Sequence, residues 1–254
     1  MNMEPYVNKA FLHTGRDLVL GESLTVKHPK IKDILSLNNG FYCEELYWAY
    51  VRSVLSDPYD SMVFLDDHGI DYETVSPIDV LWLKWQDQRE RELITESLNF
   101  FLGNRSYDMT EVRDVKVIYD KSDDTFAMGP TQFEWVTYFI SQINCLTQDG
   151  RIRPATQSAK RILIEDMRDE IKRAAKQKKK DEKPTSYIGD SITAVVYGSP
   201  SGVTPFNFEE LGIYQLLYGS ISTQKQIKVQ SMFNGIFTGM MKADKLPEDE
   251  LRWT

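Results

Sequence analysis

Residues 205–218, PFNFEELGIYQLLY, contain the strongest fold signal in the chain. Asn207 is a favourable helix N-cap, and Glu210, three residues later, is placed to return the hydrogen bond as in a capping box. Phe206 stands at the first position of a hydrophobic staple. The pattern therefore predicts a helix that starts near Phe208.

Two apolar stripes follow at helical spacing in the C-terminal region. The first comprises Leu211, Tyr214, Leu217 and Tyr218. The second, beyond Ser222, comprises Val229, Met232, Phe233, Ile236 and Met240. We interpret the pair as a helical hairpin without catalytic chemistry. Its stripes must be buried, either in the protein's own core or against a helix of a partner protein.

The chain has 254 residues, a hydrophobic content of 41% and a formal net charge of −8. This length allows one large domain or two smaller ones. The N-terminus has no signal-peptide pattern and no long apolar run exists, so we expect a cytosolic protein. The acidic charge disfavours a general nucleic-acid binder, because neutralising phosphates requires clustered lysine and arginine. Cys43 and Cys145 lie far apart without a histidine cluster, which argues against a disulfide framework or a zinc site.

The pattern of elements predicts a mainly α protein with a small β component (α+β), built as a helical bundle with one or two short β-hairpins. One hairpin is expected around Gly21, over residues 18–26. A second is expected within residues 107–128, where Ser122-Asp123-Asp124 supplies the turn.

Helices are predicted between these segments from caps and apolar spacing. Ser76-Pro77 is a hydroxyl cap followed by a proline at the first helical position, and Thr131 with Glu134 forms a capping box. The mostly polar residues 86–92 predict a break or a change of the buried face. The expected helices are 31–37, 41–55, 60–65, 77–102 with that break, 131–146, 155–180 and 187–197.

The segment 155–183 is the basic part of an acidic chain. It carries ten basic and six acidic residues, which leaves twenty basic and thirty-two acidic residues elsewhere. We expect the first half of its helix to pack and its end to project, because the following linker is charged and lacks apolar side chains. The predicted division is an N-terminal mixed α/β domain (1–150), a charged helix and linker (151–184) and a C-terminal helical subdomain (185–254).

Candidates for catalysis or metal binding are weak. Asp66-Asp67-His68-Gly69-Ile70-Asp71 clusters carboxylates around an imidazole, which suits acid–base chemistry or a divalent cation, but a polar helix end and turn explains it better. The loop Gly198-Ser-Pro-Ser-Gly202 lacks the ending of a phosphate-binding loop. Gly235 and Gly239 have a spacing that permits close helix packing, within the chain or between copies. We therefore assign no catalytic residue, no metal ligand, no cofactor and no small-molecule substrate.

Several short stretches, in order along the chain, form a recognisable set. They are Leu24-Thr-Val-Lys-His-Pro-Lys-Ile-Lys-Asp-Ile34, Phe64-Leu-Asp-Asp-His-Gly-Ile-Asp-Tyr72, Arg161-Ile-Leu-Ile-Glu-Asp-Met-Arg168, Phe208-Glu-Glu-Leu-Gly-Ile-Tyr-Gln-Leu-Leu217, Met232-Phe-Asn-Gly235 and Leu251-Arg-Trp253. With these motifs the chain resembles the tail assembly chaperones and related tail-morphogenesis proteins of tailed bacteriophages, particularly phages of Gram-positive bacteria. Residues 107–124 have no counterpart in that pattern.

The resemblance implies a non-enzymatic chaperone of the host bacterial cytoplasm. Such a protein covers the long helical tape measure protein during tail assembly and leaves before the virion matures. A surface rich in Met, Tyr and Leu can cover repeated apolar stripes without strict sequence demands. We expect the tape measure protein as partner, with a homo-oligomer as a further option, and neither nucleic acid nor membrane. The expected contact residues are Tyr214, Leu217, Tyr218, Met232, Phe233, Ile236 and Met240.

Two other functions remain open at this point. A structural component of the virion, such as a baseplate or tail-completion protein, would use the same apolar stripes as permanent interfaces. A hydrolase or nuclease built on residues 66–71 is the more distant alternative.

Overall fold

The computed structural model describes residues 5–146, 151–178, 186–198 and 202–238. Within these ranges the protein is mainly helical with two small antiparallel sheets, which confirms the predicted fold class. The predicted loop at 148–150, most of the predicted linker and Met240 lie outside the described residues.

The N-terminal elements follow the predicted pattern. Helix α1 is Lys9–Leu12, and strands β1 (Leu18–Leu20) and β2 (Leu24–Val26) form an antiparallel hairpin. Helix α2 (Ile31–Leu35) follows, and a 3₁₀ turn, Leu37–Gly40, leads to the next helix. The first predicted hairpin and the short helix after it are therefore confirmed.

Four further helices build the centre of the protein. They are α3 (Cys43–Leu55), α4 (Met62–Asp67), α5 (Pro77–Trp85) and α6 (Gln88–Leu102). Helix α5 begins as predicted after Ser76, whose backbone N–H and hydroxyl both donate to the Asp79 carboxylate. The predicted break lies between α5 and α6, where the Asp87 side chain accepts hydrogen bonds from the N–H groups of Arg89 and Glu90.

The second predicted hairpin is instead a three-stranded antiparallel sheet. Its strands, in order across the sheet, are β3 (Tyr107–Val112), β4 (Val115–Asp120) and β5 (Asp123–Met128). Asp123, expected in a turn, starts the third strand because Asp120 closes the turn before it. The buried Asp120 carboxylate accepts hydrogen bonds from the backbone N–H of Ser106 at 3.2 Å and of Ser122 at 2.9 Å.

Helices α7 to α9 follow the sheet. They are α7 (Pro130–Ile143), α8 (Gln157–Lys178) and α9 (Tyr187–Gly198). The capping box expected from Thr131 and Glu134 is wrong by two residues, because Gln132 reaches back and accepts the N–H of Gly129. The end of α8 projects as expected, since residues 169–176 are all exposed.

The predicted C-terminal hairpin is wrong, because the described part of this region forms a single helix, α10 (Ile213–Phe237). Neither proline nor a glycine in left-handed geometry interrupts the chain near Ser222. The stripe residues from Tyr214 to Ile236 therefore lie on one continuous helix.

The start of α10 also differs from the prediction. Asn207 begins only a 3₁₀ turn, and Phe206 is 97% exposed rather than packed as a staple. Glu210 is paired with Lys30, which precedes α2, and with Lys32 of α2, and it does not cap a helix. The helix begins instead after Gly212, whose N–H donates to the Gln215 side chain at 2.8 Å.

One large hydrophobic cluster joins the two ends of the chain. It contains Val26 and Ile31 from the N-terminal part, Phe139 of α7, and Leu216 and Leu217 of α10. The described C-terminal segment therefore shares its core with the N-terminal part. A smaller cluster at α4, α5 and α8 comprises Met62, Leu65, Tyr72, Val80 and Ile164.

Truncating a buried and an exposed side chain of α10 should have different effects on stability. Leu216→Ala should lower the free energy of unfolding by about 2–5 kcal/mol, because this fully buried side chain leaves a cavity. Ile227→Ala removes a side chain that is 53% exposed. It should change the same quantity by less than about 0.5 kcal/mol. Urea unfolding followed by circular dichroism measures both, and equal losses would contradict the exposure of the distal part of α10.

Candidate partner-binding surface

The start of α10, from Ile213 to Leu217, belongs to the core of the monomer. Ile213, Leu216 and Leu217 are fully buried, and Tyr214 is 4% exposed. They contact the large hydrophobic cluster that also contains residues of α2 and α7. Of the expected contact residues, Tyr214 and Leu217 are therefore inaccessible in the monomer and are removed from the candidate surface.

His28, which precedes α2, fixes the position of this buried end. Its ring is 2% exposed, and Nε2 accepts the backbone N–H of Tyr214 at 3.3 Å. Only glycine fits at position 212, because a Cβ on Gly212 would lie 2.8 Å from His28 Nε2. A ring nitrogen that accepts a hydrogen bond carries no proton, so the imidazole is neutral with its hydrogen on Nδ1. Burial lowers the pKa of His28 to about 4 and outweighs the Asp17 carboxylate, which raises it.

Aromatic contacts hold the next turn of α10. The rings of Tyr214 and Tyr218 stack with 5.4 Å between their centroids, and the His13 ring meets both edge-on. The Gln215 side chain donates to the His13 carbonyl at 2.7 Å. Tyr218, another expected contact residue, is therefore half-buried and packs within the protein.

Helix α9 lies close against the middle of α10. A Cβ on Gly219 would lie 3.3 Å from Val195 Cγ2, and one on Gly198 would lie 3.2 Å from Thr223 Cγ2. Small residues at such crossings let two helix backbones approach closely. The helix is thus held firmly as far as Thr223.

The distal part of α10 has a different environment. Phe233 is 42% exposed and Phe237 is 85% exposed, while Met232 and Ile236 are half-buried. These four side chains occupy one face of the helix, about 140° wide, because their positions are separated by one, four and five residues. We call Met232, Phe233, Ile236 and Phe237 the distal surface.

Sequence reasoning found three of these four residues. Phe233, Ile236 and Met232 were expected from helical spacing, and Phe237 was missed. Its signal was available, since Phe237 follows Phe233 by four residues and so lies on the same face. The expected contact residue Met240 lies outside the described residues.

The acidic turn after α4 contacts helix α8. The Lys160 side chain, 7% exposed, pairs with Asp71 and lies 2.7 Å from Glu73 Oε2. Arg168 pairs with Asp66 at 3.1 Å and with Asp67 at 2.6 Å. The carboxylates considered for acid–base chemistry therefore attach α8 to the body of the protein.

His68, the imidazole that lies among these carboxylates in the sequence, caps the C-terminal end of α4. Its Nδ1 lies 2.8 Å from the carbonyl oxygen of Phe64, and the ring packs against the Phe64 ring. Over the part of the chain that the structure describes, no group of three or more His, Cys, Asp or Glu side chains has the arrangement of a metal site. The described helices also include none with the length and apolarity needed to cross a membrane.

Comparison of the chain with protein families, curated proteins and solved structures finds no match. The chain's own residues and the motifs quoted from its sequence are therefore the basis for assigning a function.

Acidification should destabilise the protein through His28. The ordinary pKa of 6.5 applies in the unfolded chain, so the unfolded state binds more protons than the folded state between pH 6.5 and about pH 4. Above pH 6.5 the neutral buried ring contributes roughly 3 kcal/mol to the free energy of unfolding. This contribution is lost as the pH falls from 6.5 to about 4. Urea unfolding of the wild type and of His28→Gln at several pH values measures the difference.

His68→Gln is the matched control for this measurement, because His68 is exposed. His68→Gln should keep the wild-type pH dependence of the free energy of unfolding. His28→Gln should flatten that dependence between pH 6.5 and about pH 4. A wild-type slope retained in His28→Gln would contradict a buried neutral imidazole.

Proposed function

We propose that this protein is a non-enzymatic tail assembly chaperone that binds the tape measure protein through the distal surface of α10. The observation that carries the proposal is the contrast along one helix. The apolar side chains from Ile213 to Leu217 are buried in the core, while Phe233 and Phe237 are presented to solvent on the same helix. A surface phenylalanine that is 85% exposed has no stabilising role in the monomer and suits a binding site.

The shape of the distal surface suits a helical partner. Four apolar side chains within two turns of a helix form a ridge that can lie along the apolar stripe of a second helix. Met232 adds an unbranched and polarizable side chain, which adapts to different neighbours. Repeated, imperfect stripes are the feature expected of a tape measure protein, so an adaptable ridge fits it better than a shape-specific pocket would.

The distribution of charge along α10 also supports the distal surface as an apolar binding site. No acidic residue occurs between Leu211 and Thr238, although the whole chain carries a net charge of −8. The distal surface therefore lacks the fixed negative charge that covers much of the remaining chain. Apolar association along this face requires little desolvation of ionised groups.

The acidic turn favours binding over catalysis as the function of the chain. Asp66, Asp67 and Asp71 each form an ion pair with a side chain of α8. The Lys160 ammonium stabilises the ionised form of Asp71 and lowers its pKa, so this carboxylate has a low affinity for a proton and is a weak general base. The turn has a structural role that accounts for its composition.

Replacing both exposed phenylalanines should abolish binding and preserve the fold. The variant Phe233→Ser with Phe237→Ser, coexpressed with the tape measure protein, should lose at least about 90% of co-purification, since exposed aromatic anchors dominate such interfaces. Its urea midpoint should stay close to that of the wild type. Affinity purification followed by quantitative gel analysis measures the binding.

Phe206→Ser is the control, because Phe206 is 97% exposed but lies outside α10. It should co-purify with the tape measure protein like the wild type. Undiminished binding by the double variant would contradict the proposed surface. Mass spectrometry of purified particles tests the role itself: a chaperone is absent from mature virions, and stoichiometric presence there would favour a structural component.

A further inference from the structure

A second surface lies where the start of α3 meets the start of α9. It is a groove of about 420 Å³ with a largely apolar floor. Residues of α2, α3 and α9 line it, including Leu35, Tyr42, Trp48, Ile188 and Ile192. Its apolar lining therefore combines aromatic and aliphatic side chains.

The loop before α3 presents aromatic side chains at the rim of this groove. Phe41 is 70% exposed and Tyr42 is 73% exposed. Tyr42 has a φ angle of 52°, a left-handed geometry that is unfavourable for a bulky residue. Backbone strain of this kind persists where the surrounding structure imposes it, and it is concentrated at binding sites.

The groove is negatively charged. Glu44 and Glu45 both line it, and no lysine or arginine does. Glu44 caps α9 by accepting hydrogen bonds from the Ser186 hydroxyl at 2.6 Å and the Ile188 N–H at 2.9 Å. Glu45 is exposed and forms no hydrogen bond or ion pair with the described residues. Carboxylates beside aromatic rings favour a cationic occupant.

The projecting end of α8 has the complementary chemistry. In residues 171–176, which we call the arm, Ile171 is 51% exposed and Ala175 lies on the same helical face. Lys172 and Lys176 flank that face, and Lys176 forms no ion pair with the described residues. The arm thus offers an apolar ridge edged by positive charge.

We infer that two copies of this chain associate by placing the arm of each in the acidic aromatic groove of the other. Within one chain the arm is exposed and the groove is open, so neither is used by the monomer as the structure describes it. Seven residues lie between Lys178 at the end of α8 and Ser186 at the groove, so eight Cα–Cα steps limit their distance to about 29 Å. Because each copy carries both an arm and a groove, one two-fold axis can satisfy both contacts in a closed dimer.

The inference is independent of the distal surface, because it uses different residues. In the dimer Ile171 covers the aliphatic floor, and the lysines of the arm approach Glu45 and the aromatic rim. An interface that depends on charge in this way weakens as salt rises.

Sedimentation analysis of the full-length protein tests the inference. At low ionic strength we expect a concentration-dependent dimer, and at about 0.5 M salt a shift toward monomer. Glu45→Lys and Lys176→Glu should each weaken dimerisation by roughly tenfold or more, because like charges then face each other. The double variant with both changes should recover most of the wild-type affinity.

Two control variants change the net charge by the same amount away from both surfaces. Glu22→Lys lies in the β1–β2 turn and Arg161→Glu lies on the attached half of α8, and both positions are exposed. They should dimerise like the wild type. A monomer under all conditions, a dimer insensitive to Glu45→Lys, or a double variant no better than the single ones would overturn the inference.

Discussion

The contact between the segment before α2 and the start of α10 organises the molecule. The N–H of Ile31 donates to the Leu211 carbonyl, and the N–H of Ile213 donates to the Pro29 carbonyl, both at 2.9 Å. This short antiparallel bridge aligns the first turn of α10 with the buried His28 ring. It joins parts of the chain that lie far apart in sequence, so its formation orders a long loop at considerable entropic cost. Once formed, it determines which half of α10 enters the core and which half projects.

Sequence patterns predicted most elements because local interactions specify them. Ser76 with Asp79 forms a cap within four residues, and α5 begins where this pair places it. The start of α10 could not be found in this way. Glu210 resembles a capping residue, but hydrogen bonds from Lys30 and Lys32 engage it and lower its pKa to about 2. Those lysines are distant in sequence, and no local pattern reveals that they compete for the carboxylate.

The sequence also could not predict which apolar side chains of α10 are buried and which are exposed. Tyr214 and Phe233 both belong to apolar stripes with helical spacing, yet Tyr214 is 4% exposed and Phe233 is 42% exposed. Periodicity identifies the face of a helix that avoids water, but it does not identify what covers that face. The Tyr214 ring is covered by the His13 and Tyr218 rings, and for Phe233 the described residues leave the face open. The sequence could therefore identify candidate anchors and could not separate the core anchors from the exposed ones.

Ion pairs attach α8 to the body of the protein. They set the direction of this helix and add little to the stability of the fold. Lys160 is buried beside the Tyr72 ring and between two carboxylates, a position in which losing one partner costs more than the pair contributes. Arg168 forms a second, more exposed attachment about 12 Å further along the helix. Two such points fix the axis of a straight helix, and no described apolar contact holds it beyond Met167. The same ion pairs that occupy the acidic turn therefore determine the direction in which the exposed, charged end of α8 projects.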